Sequence, residues 1–292
     1  MLLATSLNVF WDKEMSVSLE EGLRRCAEAG FEGVDFNFVD YDRSMLERMV
    51  GRLDSDAYAR SLRKRAEELG LRFVQAHGPI FDKFGDPQVV QPLVEMSHES
   101  LRWAAAVGAP WIVFEPETAS GAFDEAHYEE NMQRNLAFFR DLLRTAEEVG
   151  IGIAIENVSD ALARPGARRR YYSVPTELID LVDRLNHPLI GICWDVGHAH
   201  LQRLDQRQAL RALGKRLVAT HIQDNDGVKD WHMLPYCGDV DWRSVVAGLR
   251  DIGYTGAFCY ETHRSIRFVP DHLRDDLLRY AVRLGKHLLS LA

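Results

Sequence analysis

Six short apolar runs in this chain each stop on a side chain able to bind a metal ion or move a proton: FVQAH at His77, WIVFE at Glu115, IAIE at Glu156, IGICWD at Asp195, LVATH at His221 and FCYE at Glu261. The end points fall 26 to 41 residues apart. One polar residue closing a buried strand is unremarkable. The same placement on strand after strand gathers the side chains at one face of a parallel barrel, the face where sites of that architecture lie. Glu156, Asp195, His221 and Glu261 close the last four runs, so they are expected to converge on one quadrant of the mouth. Three carboxylates and one imidazole make a mostly oxygen donor set that suits Mn²⁺ or Mg²⁺ and also accommodates Zn²⁺ or Co²⁺. Without a cation such carboxylates would repel one another while partly desolvated. Glu156 and Glu261 flank the quadrant, each placed to address one face of the same carbon, one removing a proton and the other returning it. A cation between them would polarise the adjacent carbonyl, so the residue types point to isomerisation or epimerisation through an enediolate.

The elements that must position these side chains are legible in the alternation of strand-like and amphipathic runs, the order of βαβ units. Eight strands are expected, starting at Leu7 (LNVF), Gly33 (GVDFNF), Phe73 (FVQAH), Trp111 (WIVFE), Ile151 (IGIAIE), Ile190 (IGICWD), Leu217 (LVATH) and Ala257 (AFCYE). Segments between them, such as SLEEGLRRCAEAG and HYEENMQRNLAFFRDLLRTAEEVG, carry apolar residues at three- and four-residue spacing. Gly30, Gly70, Gly108, Gly150 and Gly253 stand where helices end on a left-handed residue. The expected fold is α/β, a single (β/α)8 TIM barrel forming one domain over residues 1–292, closed by a helix from Asp271 to Leu291.

Composition narrows the function classes. A chain of 292 residues that is 46% hydrophobic suits one barrel of roughly 250 residues or more. A net charge of −9 offers no field for a phosphate backbone, so a small-molecule substrate is expected and nucleic acid is not. No run of about 18 apolar residues occurs, and MLLATSLNVFWDKE lacks a basic leader and a small-residue cleavage site. Neither a membrane partner nor secretion is expected, which points to the cytoplasm. Cys26, Cys193, Cys237 and Cys259 form no CxxC pair and read as reduced and structural. Self-association into a homo-oligomer is left open.

Taken together, IEN at Glu156, WDVGHAH around Asp195, THIQDNDG at His221, DWHMLPYCGDVDW from Asp230 and YETH at Glu261 resemble the xylose isomerase-like TIM-barrel superfamily. That group holds sugar and sugar-phosphate isomerases and epimerases, hydroxypyruvate isomerase, inosose dehydratase and endonuclease IV-type nucleases. The resemblance runs over essentially the whole chain, and its motifs specify the superfamily rather than a substrate. It implies one divalent metal ion held by Glu156, Asp195, His221 and Glu261, with Glu156 and Glu261 as the acid and base. The implied substrate is a carbohydrate: a small sugar, sugar phosphate or polyol-like ketone. Dehydration of an inosose-type substrate is the alternative, and cleavage of abasic-site DNA a more distant one. His198, Asp230 and His232 match positions that contact substrate in the sugar enzymes or hold a further metal in the nucleases, which leaves room for a second ion. The chain departs from the nuclease pattern at Glu115, where a second histidine on strand 4 would be expected.

Other residues carry weaker signals. His77 is expected to contact substrate or metal from its strand end, and Glu115 reads equally as a hydroxyl acceptor beside His77 or as structural. Asn8 faces the mouth only if strand 1 has the register of LNVF. Phe10, Trp11, Trp231 and Tyr236 read first as packing, with stacking on a sugar face as the functional alternative. His98, His127, His187, His200, His263, His272 and His287 have no supporting pattern and read as structural or surface. Arg164, Arg168, Arg169 and Arg170 follow strand 5, and Arg264 and Arg267 follow strand 8. Weighed against a solvated surface, Arg168 and Arg264 are candidates for binding an anionic substrate group.

Overall fold

The computed structural model of the chain describes residues 1–11, 17–38, 55–121, 123–160 and 170–291. Eight parallel strands form a (β/α)8 TIM barrel: β1 (Leu2–Ser6), β2 (Gly33–Asn37), β3 (Arg72–His77), β4 (Trp111–Phe114), β5 (Gly152–Glu156), β6 (Ile190–Asp195), β7 (Leu217–His221) and β8 (Ala257–Tyr260), in the sheet order β7-β6-β5-β4-β3-β2-β1-β8. Around it run α1 (Leu19–Ala29), α2 (Ser55–Glu68), α3 (Pro87–Val107), α4 (Glu125–Val149), α5 (Pro175–Leu185), the short α6 (Val196–Leu201), α7 (Gln206–Leu213), α8 (Trp242–Asp251), α9 (His263–Ile266) and α10 (Asp271–Ser290). Among the described residues no helix is long and apolar enough to cross a membrane.

The helices begin and end as their sequences dictate. Ser18 accepts from the Glu21 amide at 3.2 Å, and Asp124 from that of His127 at 2.8 Å, each satisfying a donor the first helical turn leaves free. The five glycines named above all have φ between +65° and +100°. Strand 1 differs from expectation. It is Leu2–Ser6, while Leu7–Phe10 forms a 3-10 turn whose four residues are all buried. An unbroken buried run has no period by which to tell strand from turn. The register is set instead by pairing, Leu2–Thr5 with Ala257–Tyr260 and Ala4–Ser6 with Gly33–Asp35. Asn8 therefore lies in the turn, not on a strand.

Period-two alternation sorts the strand residues. Large ones such as Phe36, Phe114, Trp194 and Phe258 join the core between strands and helices, while Ala4, Val74, Ala257 and Cys259, and Val113, Ala154, Cys193 and Ala219, form small separate clusters. Of these, Ala154, Cys193, Ala219 and Cys259 sit two positions before Glu156, Asp195, His221 and Glu261 on the same strand faces. The four cysteines are free, with Cys237 exposed and the others buried. Closure between β7 and β8 is sparse. The Ile222 amide donates to Cys259 O at 2.8 Å and the Glu261 amide to Ile222 O at 3.1 Å. Below that bridge Thr220 Oγ1 donates to Ala257 O at 2.7 Å and accepts from the Cys259 amide at 3.4 Å, so one hydroxyl stands in where the backbone ladder is missing.

Candidate active site

β6 runs directly into α6, so Asp195 is both the last residue of its strand and the N-cap of the helix. Its Oδ1 accepts from the His198 amide at 2.6 Å and from Gln223 Nε2 at 3.3 Å. Its Oδ2 is buried with no hydrogen-bond partner. Neighbouring strands bring the other three side chains to it. Asp195 is paired with His221 in the β6–β7 ladder, and Glu156 with Cys193 one inward layer deeper, while Glu261 follows β8. One ligand-type atom from each of Glu156, Asp195, His221 and Glu261 lies within 4.8 Å of the others, and all four residues are buried. Glu156 is held from two sides, its Oε1 2.8 Å from His221 Nδ1 and its Oε2 3.1 Å from His77 Nε2. The two imidazoles stack with ring centres 5.3 Å apart. Glu261 Oε1 accepts from Asn37 Nδ2 at 3.2 Å, and its Oε2 lies 3.7 Å from His221 Nδ1.

Three buried carboxylates in this space need positive charge, and without a cation protons supply it. Burial raises the Asp195 carboxyl to about 7, with His198 opposing and the carboxylates of Glu156, Asp230 and Glu261 reinforcing. Burial acts the other way on His221, yet Cys193, Glu156, Glu261 and Asp35 outweigh it and hold the imidazole well above its usual range. Glu156 is lowered despite its burial because His221 and His77 donate to it. A divalent ion would take over this neutralising role, and the unpartnered Asp195 Oδ2 offers it a lone pair. The donor set of three carboxylates and one imidazole fits such an ion.

A second cluster adjoins the first. Asp230 Oδ2 lies 3.2 Å from His198 Nε2 and 3.0 Å from His232 Nε2. The two imidazoles hold the Asp230 carboxyl far below its usual range against the effect of burial. For His232, burial is outweighed by Glu261 and Asp230, which bring it to about 9. Gln223 links the clusters, its amide donating to Asp195 Oδ1 and, at 2.6 Å, to Asp230 Oδ1. The loop carrying Asp230 and His232 is organised by buried Asp224, which accepts from the amides of Asn225, Tyr236 and Val240 and from Trp242 Nε1. Within this loop His232 and Tyr236 take φ of 45° and 69°, a conformation that costs a non-glycine residue on the order of 1 kcal/mol.

The sequence profile described as "Xylose isomerase-like TIM barrel" matches residues 23–287. This chain belongs to that family. An uncharacterized protein, y4fM, of Sinorhizobium fredii (strain NBRC 101917 / NGR234) is 30% identical over 175 residues, 58% of this chain and 52% of its own length; the chain thus spans about half the length of the curated relatives it matches. Among solved structures, a D-tagatose 3-epimerase-like protein superposes with a TM-score of 0.76 at 20% identity, covering 100% of this chain and 98% of the other. D-psicose 3-epimerase with D-tagatose from Clostridium cellulolyticum H10 gives 0.75 at 15% identity, with 99% of each chain covered. At these identities the likeness is one of fold.

In this xylose isomerase-like barrel the strand ends that chemistry singles out do not all meet. His77 joins the first cluster through Glu156. Glu115 does not: β4 stops at Phe114, and the carboxylate lies 3.8 Å from Arg170 Nη2, outside every His and carboxylate grouping of the described residues. Its charge is drawn to the guanidinium, while His77 already has Gly78 O at 2.8 Å on its other nitrogen. Arg264 is exposed on α9, and Arg164, Arg168 and Arg169 lie outside the described residues. His98 and His187 pair with Asp141 and Glu147 far from the site. His263, read from the sequence as structural or surface, lies beside the second cluster. Its ring centre lies 4.4 Å from that of His232, its Nδ1 is buried without a hydrogen-bond partner, and burial beside His232 lowers it to about 2. Asp35 and Gln223 are site residues that a strand-end criterion does not reach, and Asn37 ends β2 one residue short of the expected GVDFNF. The signal for Asp35 and Asn37 was the alternation in GVDFNF, where polar residues two apart interrupt an apolar strand.

Proposed function

We propose that this protein is a divalent-metal-dependent isomerase or epimerase of a small sugar, sugar phosphate or polyol-like ketone. The observation that carries the reading is the buried meeting of Glu156, Asp195, His221 and Glu261 within 4.8 Å, with Asp195 Oδ2 left without a partner. The sugar 3-epimerases among the structural neighbours support it. When bound, a divalent ion at these four residues would polarise the substrate carbonyl and offset the charge that develops as a proton leaves the adjacent carbon. The chain's own residues do the rest. Glu156 and Glu261 approach from β5 and from the end of β8; one takes the proton and the other delivers one to the opposite face, inverting the carbon or moving the carbonyl. His77 fixes one oxygen of Glu156 and Asn37 one oxygen of Glu261, which sets the direction from which each carboxylate works. Burial of the pair keeps water from the carbanion-like intermediate.

The second cluster favours one alternative. His232, at about 9, carries a proton at neutral pH and stands 3.4 Å from Glu261 Oε2, so it could protonate a departing β-hydroxyl in a lyase of the inosose dehydratase type. His198, Asp230 and His232 could also hold a second ion. The nuclease reading is weakened because Glu115 turns to Arg170 instead of joining His77. The deciding experiment is metal analysis of the purified protein followed by turnover of a ketose panel in D₂O. About one equivalent of a divalent metal and one deuterium at the carbon beside the carbonyl are expected. Water loss from the product indicates the lyase, cleavage of abasic-site duplex the nuclease, and absence of both metal and exchange refutes the proposal.

A further inference from the structure

Asp35 lies on β2 two residues before Asn37, so the same inward face of one strand presents a carboxylate beneath an amide. The β2–β3 ladder shifts register between Val34 and Asp35, bringing Gln75 opposite Asp35. Asp35 is wholly buried. Its Oδ1 has no hydrogen-bond partner, and its Oδ2 takes only a long 3.4 Å contact from Gln75 Nε2, which reaches Thr220 O at the same distance. Oδ2 stands 3.6 Å from His221 Nε2, a buried nitrogen that also lacks a hydrogen-bond partner. The other nitrogen of that ring faces Glu156 Oε1 at 2.8 Å and Glu261 Oε2 at 3.7 Å.

A buried carboxylate so poorly served by Gln75 is costly, and His221 Nε2, 3.6 Å from Asp35 Oδ2, is a buried donor position with no other partner. We propose that Asp35 is a positioning residue for His221: it takes the Nε2–H, fixes the ring plane, and thereby leaves the Nδ1 lone pair directed at the space shared with Glu156, Asp195 and Glu261. A ligating imidazole whose second nitrogen is held by a carboxylate has one tautomer and greater basicity, and loss of such a partner costs roughly 10- to 100-fold in metal affinity. The inference rests on reading those four residues as a metal site, and it assigns β2 a role in ordering both His221 and, through Asn37, Glu261.

The test is calorimetric titration of Mn²⁺ and Co²⁺ into chelator-treated wild type, Asp35→Ala and Asp35→Asn, with ¹⁵N NMR of the histidine tautomers in the Zn²⁺-loaded wild type. Affinity should fall about 10- to 100-fold in Asp35→Ala and recover most of the loss in Asp35→Asn, whose amide oxygen still accepts from Nε2–H. His221 should carry its proton on Nε2. Should Asp35→Ala fail to fold, Asp35→Asn and the tautomer measurement decide. A folded Asp35→Ala that binds within about twofold of wild type, or a proton on Nδ1 of loaded His221, overturns the role of Asp35 alone. Wild type that takes up neither ion overturns the metal reading and the Asp35 role with it.

Discussion

Replacing Asp195 by Asn should make the metal-free protein more stable and remove most of the stabilisation that a divalent ion gives. The carboxyl rises from 3.8 to about 7 on folding. Below pH 3.8 both states hold the proton and nothing is lost. Between the two values the unfolded chain releases a proton that the folded one retains, so stability falls as pH rises; above 7 the penalty is complete. At roughly 1.4 kcal/mol per pH unit of displacement it reaches at most about 4 kcal/mol at pH 8, and little more than a third of that at pH 5. Asparagine keeps the shape, its oxygen can still accept from the His198 amide and Gln223, and its NH₂ can donate to the carboxylates that Asp195 repels. With ~2 °C per kcal/mol for a chain of this size, metal-free Asp195→Asn should melt up to about 8 °C above metal-free wild type at pH 8, with a smaller gap at pH 5. Divalent ion at a thousandfold over its Kd stabilises wild type by about 4 kcal/mol, and the variant should lose most of that shift, closing the gap at pH 8 and reversing the order at pH 5. Calorimetric or fluorescence melting curves at both pH values, with and without Mn²⁺, read all four quantities. A metal-free variant less stable than wild type at pH 8, with its metal-induced shift intact, would refute the reasoning.

Proton chemistry should separate from ion binding. Glu156→Gln and Glu261→Gln are each expected to retain some metal while substrate–solvent deuterium exchange drops about 10²- to 10⁴-fold, and wild-type exchange in either variant argues against that residue as acid or base. Thr220→Val removes the hydroxyl that bridges Ala257 O and the Cys259 amide and should cost about 1–3 kcal/mol in urea unfolding; a midpoint equal to wild type would mean the seam does not depend on it. A Cβ at Gly197 would overlap the Gln223 amide, so Gly197→Ala should uncouple Asp195 from Asp230 and weaken metal uptake in a barrel whose far-UV circular dichroism is unchanged. Full uptake there would show that Gln223 is dispensable.

How much of this was legible beforehand follows from which interactions are local. Strand, helix and the chemical type of strand-end residues are written in near-neighbour spacing: short apolar runs that stop on a polar side chain placed Glu156, Asp195 and His221 at the ends of β5, β6 and β7, and the glycines marked where helices stop. Because consecutive parallel strands are neighbours in the barrel, order in the chain became proximity in space, and the four-residue cluster could be drawn from the sequence alone. Strand 1 was missed because LNVF is uniformly buried in a turn and carries no period; pairing with β2 and β8 chose Leu2–Ser6 instead. Glu115 shows the opposite limit. It ends an apolar run as the others do, yet a guanidinium following β5 lies beside it, and no local pattern reports which charge a side chain will meet. Asp35 under His221, Asn37 on Glu261 and Gln223 between two carboxylates join residues far apart in sequence or across strand layers. Their roles arise only where closure of the barrel brings buried polar atoms within a few ångströms and leaves them no water to turn to.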